Sequence, residues 1–323
     1  MHFLRRSLFL ALFALVIAPA HAAEAWDTPA FTAPARELLQ AATAVTRARP
    51  NDIVVLLDER TFVFDEQHRV THTARLIYRV DSPDGVENWA ASTAHWQPWH
   101  QARPVIRARV ITTDGREHQI DQALLTESGT RDSSQVYDDD HTLEGPLPAV
   151  AIGAVVEEEI TTRDEKPFFS AGSVFREYVG RAVPTLRTRI VIDAPESLPL
   201  KHVTRLLPNA QVKESRAGGR VRWTVEQGVV DEMDEMQANL PADEPGWPSV
   251  EFSSGASWEN VASVYRGMTE PRVRNDDARP LLGGLDAWID AGFLAEDLPG
   301  IIAVREADSA QSGSKEQRKV ESI

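Results

Sequence analysis

Through the middle of this chain, apolar and polar residues exchange places with a period of two. From Ile53 the stretch IVVLLDERTFVFDEQHRVTHTARLIYRV is β-branched and aromatic, with the polar run DEQHR at 65–69 in its middle. That pattern predicts a long antiparallel hairpin. In its second arm Leu76, Tyr78 and Val80 alternate with Ile77 and Arg79, as expected where one strand face is buried. SPDG (82–85), with Pro second and Gly last, reads as a turn. PVIRARVITTDGREHQI then gives a strand over 105–112, a turn over 113–116 and a short strand to Ile120. AVVEEEITT (154–162) reads as a strand with a wet face of alternating glutamates. VPTLRTRIVID (183–193) and RVRWTVEQG (220–228) alternate in their turn. Such strands, with no helix-length segment between them, predict an all-β fold: a two-sheet antiparallel β-sandwich.

A helical period occurs only toward the ends. RELLQAATAVTRA is long enough for a short helix in a lead-in over 23–50. In SSGASWENVASVYRGM (253–268), Ser257 is a natural N-cap. Trp258, Val261, Val264, Tyr265 and Met268 then recur on one helix face, although Asn260 at the third position spoils a strict capping box. LLGGLDAWIDAGFLAEDL, around Trp288, gives a weaker helix, and the charged, Ser-rich end after it predicts disorder. Between the β-rich part and these helices, VVDEMDEMQANLPADEPGWP is acidic and then Pro-rich, as a linker is. The expected division is a β-sandwich over 51–245, a short helical C-terminal stub over 246–298 and a disordered tail over 299–323.

The first residues add a compartment. MHFLRRSLFLALFALVIAPAHA carries Arg5 and Arg6, an apolar run too short to span a bilayer, and the small-x-small triplet Ala20-His21-Ala22. This predicts a signal peptide over 1–22 and a periplasmic or secreted mature chain that does not remain in the membrane. Removing both arginines moves the formal charge from −15 to −17. A field of that sign repels phosphates, so nucleic acid and anionic lipid are excluded as partners. The chain has no cysteine, which excludes disulfides, a thiolate nucleophile and a Cys-ligated metal.

VVLLDERTFVFDEQHRVTHTARLIYRV, GVENWAASTAHWQPWHQARPVIRARVITTDGREHQID and LPAVAIGAVVEEEITTRDEKP, in that order, resemble the successive blocks of domain of unknown function 3857. The resemblance spans about 50–250. It implies an exported β-sandwich module standing before a transglutaminase-like domain, whose catalytic machinery is a Cys, His and Asp constellation. By the same resemblance 246–298 is the truncated start of such a region. With no cysteine in the sequence, none of that machinery transfers to any position here.

Four local clusters compete for function. HWQPWHQ (95–101) offers Trp96 and Trp99 either as an aromatic platform for peptide or glycan, or as packing around Pro98 at a sheet edge. YDDDH (137–141) offers oxygen ligands for a hard cation, but with no distal carboxylate or loop glycine it reads as a solvated loop. DEMDEMQ (231–237) is an acidic strip or a linker face. The helix over 257–268 presents Trp258 and Tyr265 to a possible protein partner. No hydrolase elbow, zinc-protease helix, phosphate loop or dinucleotide fingerprint is present, so no cofactor is expected. The expected function is therefore a non-catalytic, exported β-sandwich module, the accessory or protein-interaction part of a transglutaminase-like system, with Trp96, Trp99, Trp258 and Tyr265 as its binding surface. The alternative is a fragment of a transglutaminase-like cysteine peptidase or amide transferase.

Overall fold

The structure, a computed structural model, describes residues 24–46, 51–129, 139–180, 183–232, 246–255 and 257–273. The expected signal segment, most of the acidic stretch, the expected helix around Trp288 and the expected tail lie outside the described residues. The described residues open with a 3-10 turn at Ala25–Asp27 and helix α1 (Ala35–Ala44). The predicted hairpin follows as β1 (Ile53–Phe64) and β2 (Val70–Val80). SPDG is not a simple turn but the start of a short helix, α2 (Pro83–Asn88), in which the Ser82 hydroxyl accepts from the Gly85 N–H at 2.9 Å. Serine at the cap with proline at the first helical position is a helix-start signal as well as a turn signal. Gly85 also touches the backbone of β1's approach: a Cβ there would lie 2.1 Å from the Asp52 carbonyl oxygen.

Next come β3 (Ala91–Trp96), β4 (Gln101–Ile111), β5 (Glu117–Gln119), β6 (Thr126–Gly129), β7 (His141–Pro146) and β8 (Val155–Asp164). They are followed by β9 (Val174–Tyr178), β10 (Thr188–Pro195), β11 (Lys201–Arg205), β12 (Gln211–Ala217), β13 (Arg220–Gln227) and β14 (Ser249–Ser253), and by helix α3 (Trp258–Val273). The class is all-β, but the expectation of two sheets is corrected to three. A mixed eight-stranded sheet runs β12-β13-β10-β1-β2-β8-β4-β5, and two three-stranded sheets run β3-β7-β6 and β11-β14-β9. The large sheet is not purely antiparallel, because β1 and β10 pair in parallel from Asp58↔Thr188 to Val63↔Asp193.

The chain forms two compact units. The first comprises Met1–Phe168, Phe175–Leu198 and His202–Phe252. Both faces of its large sheet are covered, which explains why Ile77 is as buried as Tyr78. One face packs Ile53, Val55, Tyr78, Ile106 and Val156 against Ala94, Trp96 and Leu143 of β3 and β7. The other packs Leu56, Leu57, Ile77, Ile111 and Val155 against Trp26, Leu38 and Ala42 of the lead-in. An irregularity in register between Val55 and Leu57 sets two consecutive leucines on that second face.

The lead-in is also held by charge. Fully buried Glu157 accepts from Arg75 Nη2 at 2.6 Å and from Arg109 Nη2 at 2.7 Å. The Phe31 N–H adds a third donor at 2.9 Å. The same guanidiniums reach the lead-in backbone, Arg75 donating to the Thr28 carbonyl and Arg109 to that of Ala33. Nearby, Asp27 bridges Arg187 (2.5 Å) and Arg189 (2.8 Å). Burial pushes its carboxyl up, but these two guanidiniums outweigh that and hold it below its usual range. The wet face expected of AVVEEEITT is thus corrected, since its first glutamate is a core residue.

Toward the far end of β1, Phe62 packs against Phe175 of β9 and edge-on against Phe252 of β14, and those two rings stack on one another. Below them Arg60 grips buried Asp58 (2.7 Å) and Glu177 of β9 (2.7 Å). His72 stacks on Phe62 at 4.3 Å, and its Nε2 is buried without a hydrogen-bond partner. Burial, and secondarily the Arg60 charge, depress the His72 imidazole to about 4.

The second unit comprises Phe169–Val174, Pro199–Lys201 and Ser253–Ile323. In it the Ser173 and Ser254 backbones approach closely, with the Ser254 N–H donating to the Ser173 carbonyl at 3.0 Å. Gly172, at φ 110°, leaves no space for a Cβ beside the Gly255 backbone. Ser257 caps α3 as the sequence predicts, its hydroxyl accepting from the Asn260 N–H at 3.2 Å. No helix among the described residues is long and apolar enough to cross a membrane.

Candidate functional site

At one end of the large sheet three connections converge: the β1–β2 turn, the β3–β4 turn and the chain leaving β8. Each is fixed by its own polar residues. Asp65 folds the first, its carboxylate accepting the Gln67 N–H (2.9 Å), the Arg69 N–H (3.0 Å) and Arg69 Nε (2.7 Å). Burial works to raise the Asp65 carboxyl, yet these donors hold it below its usual range. Gln97 folds the second: its carbonyl accepts the N–H groups of His100 (3.1 Å) and Gln101 (2.8 Å). Asp164 then ties all three together. It accepts the Val70 N–H (3.0 Å) and Gln101 Nε2 (3.3 Å), and lies 3.5 Å from His100 Nδ1. The Glu165 N–H donates to the His100 carbonyl at 2.7 Å, closing the connection.

This framework supports an open cleft and an aromatic platform. The cleft has a volume of about 410 Å³ and is lined by Val63, Phe64, Asp65, Arg69, Thr71, Arg163, Asp164 and Glu165. That is the size of a small-ligand site. Beside it, buried His100 carries Trp99 and Phe168, with ring centroids at 4.3 and 5.4 Å and the two outer rings 5.6 Å apart. Trp99 is 48% exposed and Phe168 57%. Large aromatic faces kept in water over a pre-formed polar base suit stacking against an apolar group of a ligand.

The residues singled out in the sequence separate. Trp96 is corrected from surface to core: it is only 4% exposed, packed among Ala94, Ile106 and Leu143. Its neighbour Trp99, three residues on, falls in the turn and faces solvent. Trp258 and Tyr265 are 82% and 63% exposed on α3, in the other unit. Phe168, Asp164 and Arg163 escaped the sequence reading because nothing local links the end of β8 to HWQPWHQ, which itself contains His100. In the YDDDH cluster, Tyr137 and Asp138 lie outside the described residues. His141 Nδ1 meets Glu127 at 2.9 Å, and Glu127 also meets Arg103 at 3.2 Å. No group of three ligating side chains among the described residues is arranged to hold a metal ion.

Comparison with known proteins places this architecture. A crystal structure of "a putative protease" from Parabacteroides distasonis superposes with a TM-score of 0.65 at 11% identity, covering 81% of this chain and 51% of that one. The likeness is one of fold, and this chain spans about half the length of that protein. A "putative nutrient binding protein" from Legionella pneumophila, at 8% identity with 79% of each chain covered, reaches a TM-score of only 0.29 and carries no weight. No curated protein matches the chain. The family model described as "Domain of Unknown Function with solved-structure structure (DUF3857)" matches residues 66–230, just over half of the sequence. The β3–β4 turn and the cleft's β8 wall fall within that span, and the chain belongs to the DUF3857 family.

Proposed function

We propose that this protein is a non-catalytic, exported recognition module that binds a peptide or protein partner at the end of its large sheet. The observation that carries the reading is the exposed Trp99–Phe168 platform beside the polar cleft, built on buried His100 and Asp164. A residue of this size kept in water and held by a rigid base is the usual anchor of an interface. The N-terminal arginine pair, apolar run and Ala-His-Ala triplet support export to the periplasm. A second reading rests on the sequence resemblance: the module serves as the accessory part of a transglutaminase-like system, and the fold likeness to about half of a longer protein described as "a putative protease" is consistent with it.

The test is equilibrium binding of short peptides and soluble oligosaccharides to the whole mature chain, with product analysis of the same mixtures. Trp99→Ala and Phe168→Ala are expected to weaken peptide binding about tenfold or more, as truncating an interface anchor does, with melting temperature unchanged. Binding indifferent to both substitutions overturns the site. Peptide turnover abolished by His100→Ala or Asp164→Asn overturns the non-catalytic reading.

The same reading gives α3 a partner of its own, since Trp258, Tyr265 and Met268 project into solvent. Concentration-dependent association is expected in light scattering, reduced by the double substitution Trp258→Ser and Tyr265→Ser. A wild-type chain that stays monomeric at high concentration removes self-association through this face.

A further inference from the structure

We infer that the sheet-end cleft takes its peptide by a carboxylate, with Arg163 as the anchoring cation; this deepens the recognition reading above and rests on it. The inference follows from sorting the charges that line the cleft by what already satisfies them. Asp65 and Arg69 satisfy one another across their turn. Asp164 is taken up by Val70, Gln101 and His100. Two charged groups remain. The side chains of Arg163 and Glu165 are exposed and make no hydrogen bond or ion pair among the described residues.

Their positions suit the end of a polypeptide. Arg163 stands opposite Thr71 of β2 in register, and Thr71 also lines the cleft. Glu165 lies two residues further, beyond the end of β8, on the other side of the Asp164 anchor. A guanidinium meets a carboxylate in two parallel hydrogen bonds, a geometry an ammonium cannot reproduce. A neighbouring glutamate repels a second anion but accepts N–H groups. A ligand that satisfies both must carry a carboxylate on the Thr71 side and hydrogen-bond donors a short way back. The terminal residue of a peptide does so, with its carboxylate and the amide N–H groups before it. The Trp99–Phe168 platform then receives an apolar side chain of that segment. The cleft's volume, at the lower end of the range for ligand pockets, fits a chain end better than a long stretch. An aspartate or glutamate side chain within a peptide offers the same carboxylate, and so does an acidic sugar.

The experiment compares four probes on the whole mature chain. They are a short acetylated peptide ending in alanine-phenylalanine as the free acid, its C-terminal amide, the amide with an internal glutamate, and a uronic-acid disaccharide. Binding is read by tryptophan fluorescence and calorimetry at moderate salt. The free acid is expected to bind roughly tenfold or more tighter than the amide, the scale of hydrogen bonds to a charged group. Arg163→Ala should erase that difference and Arg163→Lys should restore only part of it. Because Arg163 is exposed, both variants should melt as the wild type does. Equal binding of acid and amide, still lost in Trp99→Ala, overturns the carboxylate anchor and leaves the recognition site standing. Binding of the internal glutamate in preference to the terminus overturns the chain-end assignment. Binding of the disaccharide alone overturns a peptide ligand, and no binding by any probe overturns both this inference and the reading beneath it.

Discussion

Glu157→Gln is expected to destabilise the protein by about 3–5 kcal/mol, the cost of removing the one anion from a buried ion cluster. The side chain keeps its shape, so the effect isolates the charge. Arg75 is left in the core with no counter-ion, while Arg109 keeps only its 3.2 Å contact to half-exposed Glu117. Against a total stability of about 5–15 kcal/mol this is a large fraction, and thermal melting should fall by roughly 10 °C. The consequence should also be local. Phe31, Thr28 and Ala33 are tied to the sheet through this one carboxylate and its two arginines, so the lead-in should become the first site of limited proteolysis. Replacing all three charged side chains by apolar residues of similar volume should recover most of the loss. A Glu157→Gln protein within about 1 kcal/mol of the wild type would show that the cluster is dispensable.

His72 gives the second large effect, and it depends on pH. Its imidazole is depressed to about 4 in the folded chain against 6.5 for a free histidine, chiefly by burial. The unfolded chain therefore binds the proton first. This contribution is intact above pH 6.5, declines as the pH falls, and is fully lost near pH 4. The interval between those two values corresponds to about 3 kcal/mol. His72→Phe preserves the stack on Phe62 and removes the buried unpartnered nitrogen, so it should be at least as stable as the wild type near neutrality. Urea denaturation at intervals from pH 7 to 4 should show the gap between variant and wild type widening as acid is added. Burial raises Glu177, which works with the opposite sign in an overlapping window. The comparison with the variant removes that contribution. Parallel profiles for the two proteins would contradict the assignment.

Much of the sandwich was legible because alternation is a local property. The β1–β2 hairpin and the strands at β8, β10 and β13 follow from residues two apart. Even the fate of Trp96 was written there, since it shares the buried phase of β3 with Ser92 and Ala94, while Trp99 lies past the strand's end. What escaped depends on register between distant strands. A strand reading VVEEEI looks solvated until Arg109 is set directly opposite Glu157 and Arg75 diagonally beside it. The third sheet escaped for a similar reason, because β9, β11 and β14 are each five residues long and carry charges on their outer sides. The candidate site is the extreme case. It is assembled from three turns that only the finished sheet brings together.

The parallel pairing of β1 with β10 has a consequence for how the chain must acquire its structure. One side of β1 is matched at once by β2, across a turn of five residues. The other side waits for a strand that enters the sheet only at Thr188. Until then the most apolar of the described strands, IVVLLDERTFVF, has a bare row of backbone donors and acceptors along its length. Contacts of such long sequence separation form slowly, and an open apolar edge is an invitation to pair with another chain. A nascent molecule therefore passes through an interval in which its central strand is its greatest aggregation hazard. The arrival of β10, rather than collapse of the hairpin, ends that interval.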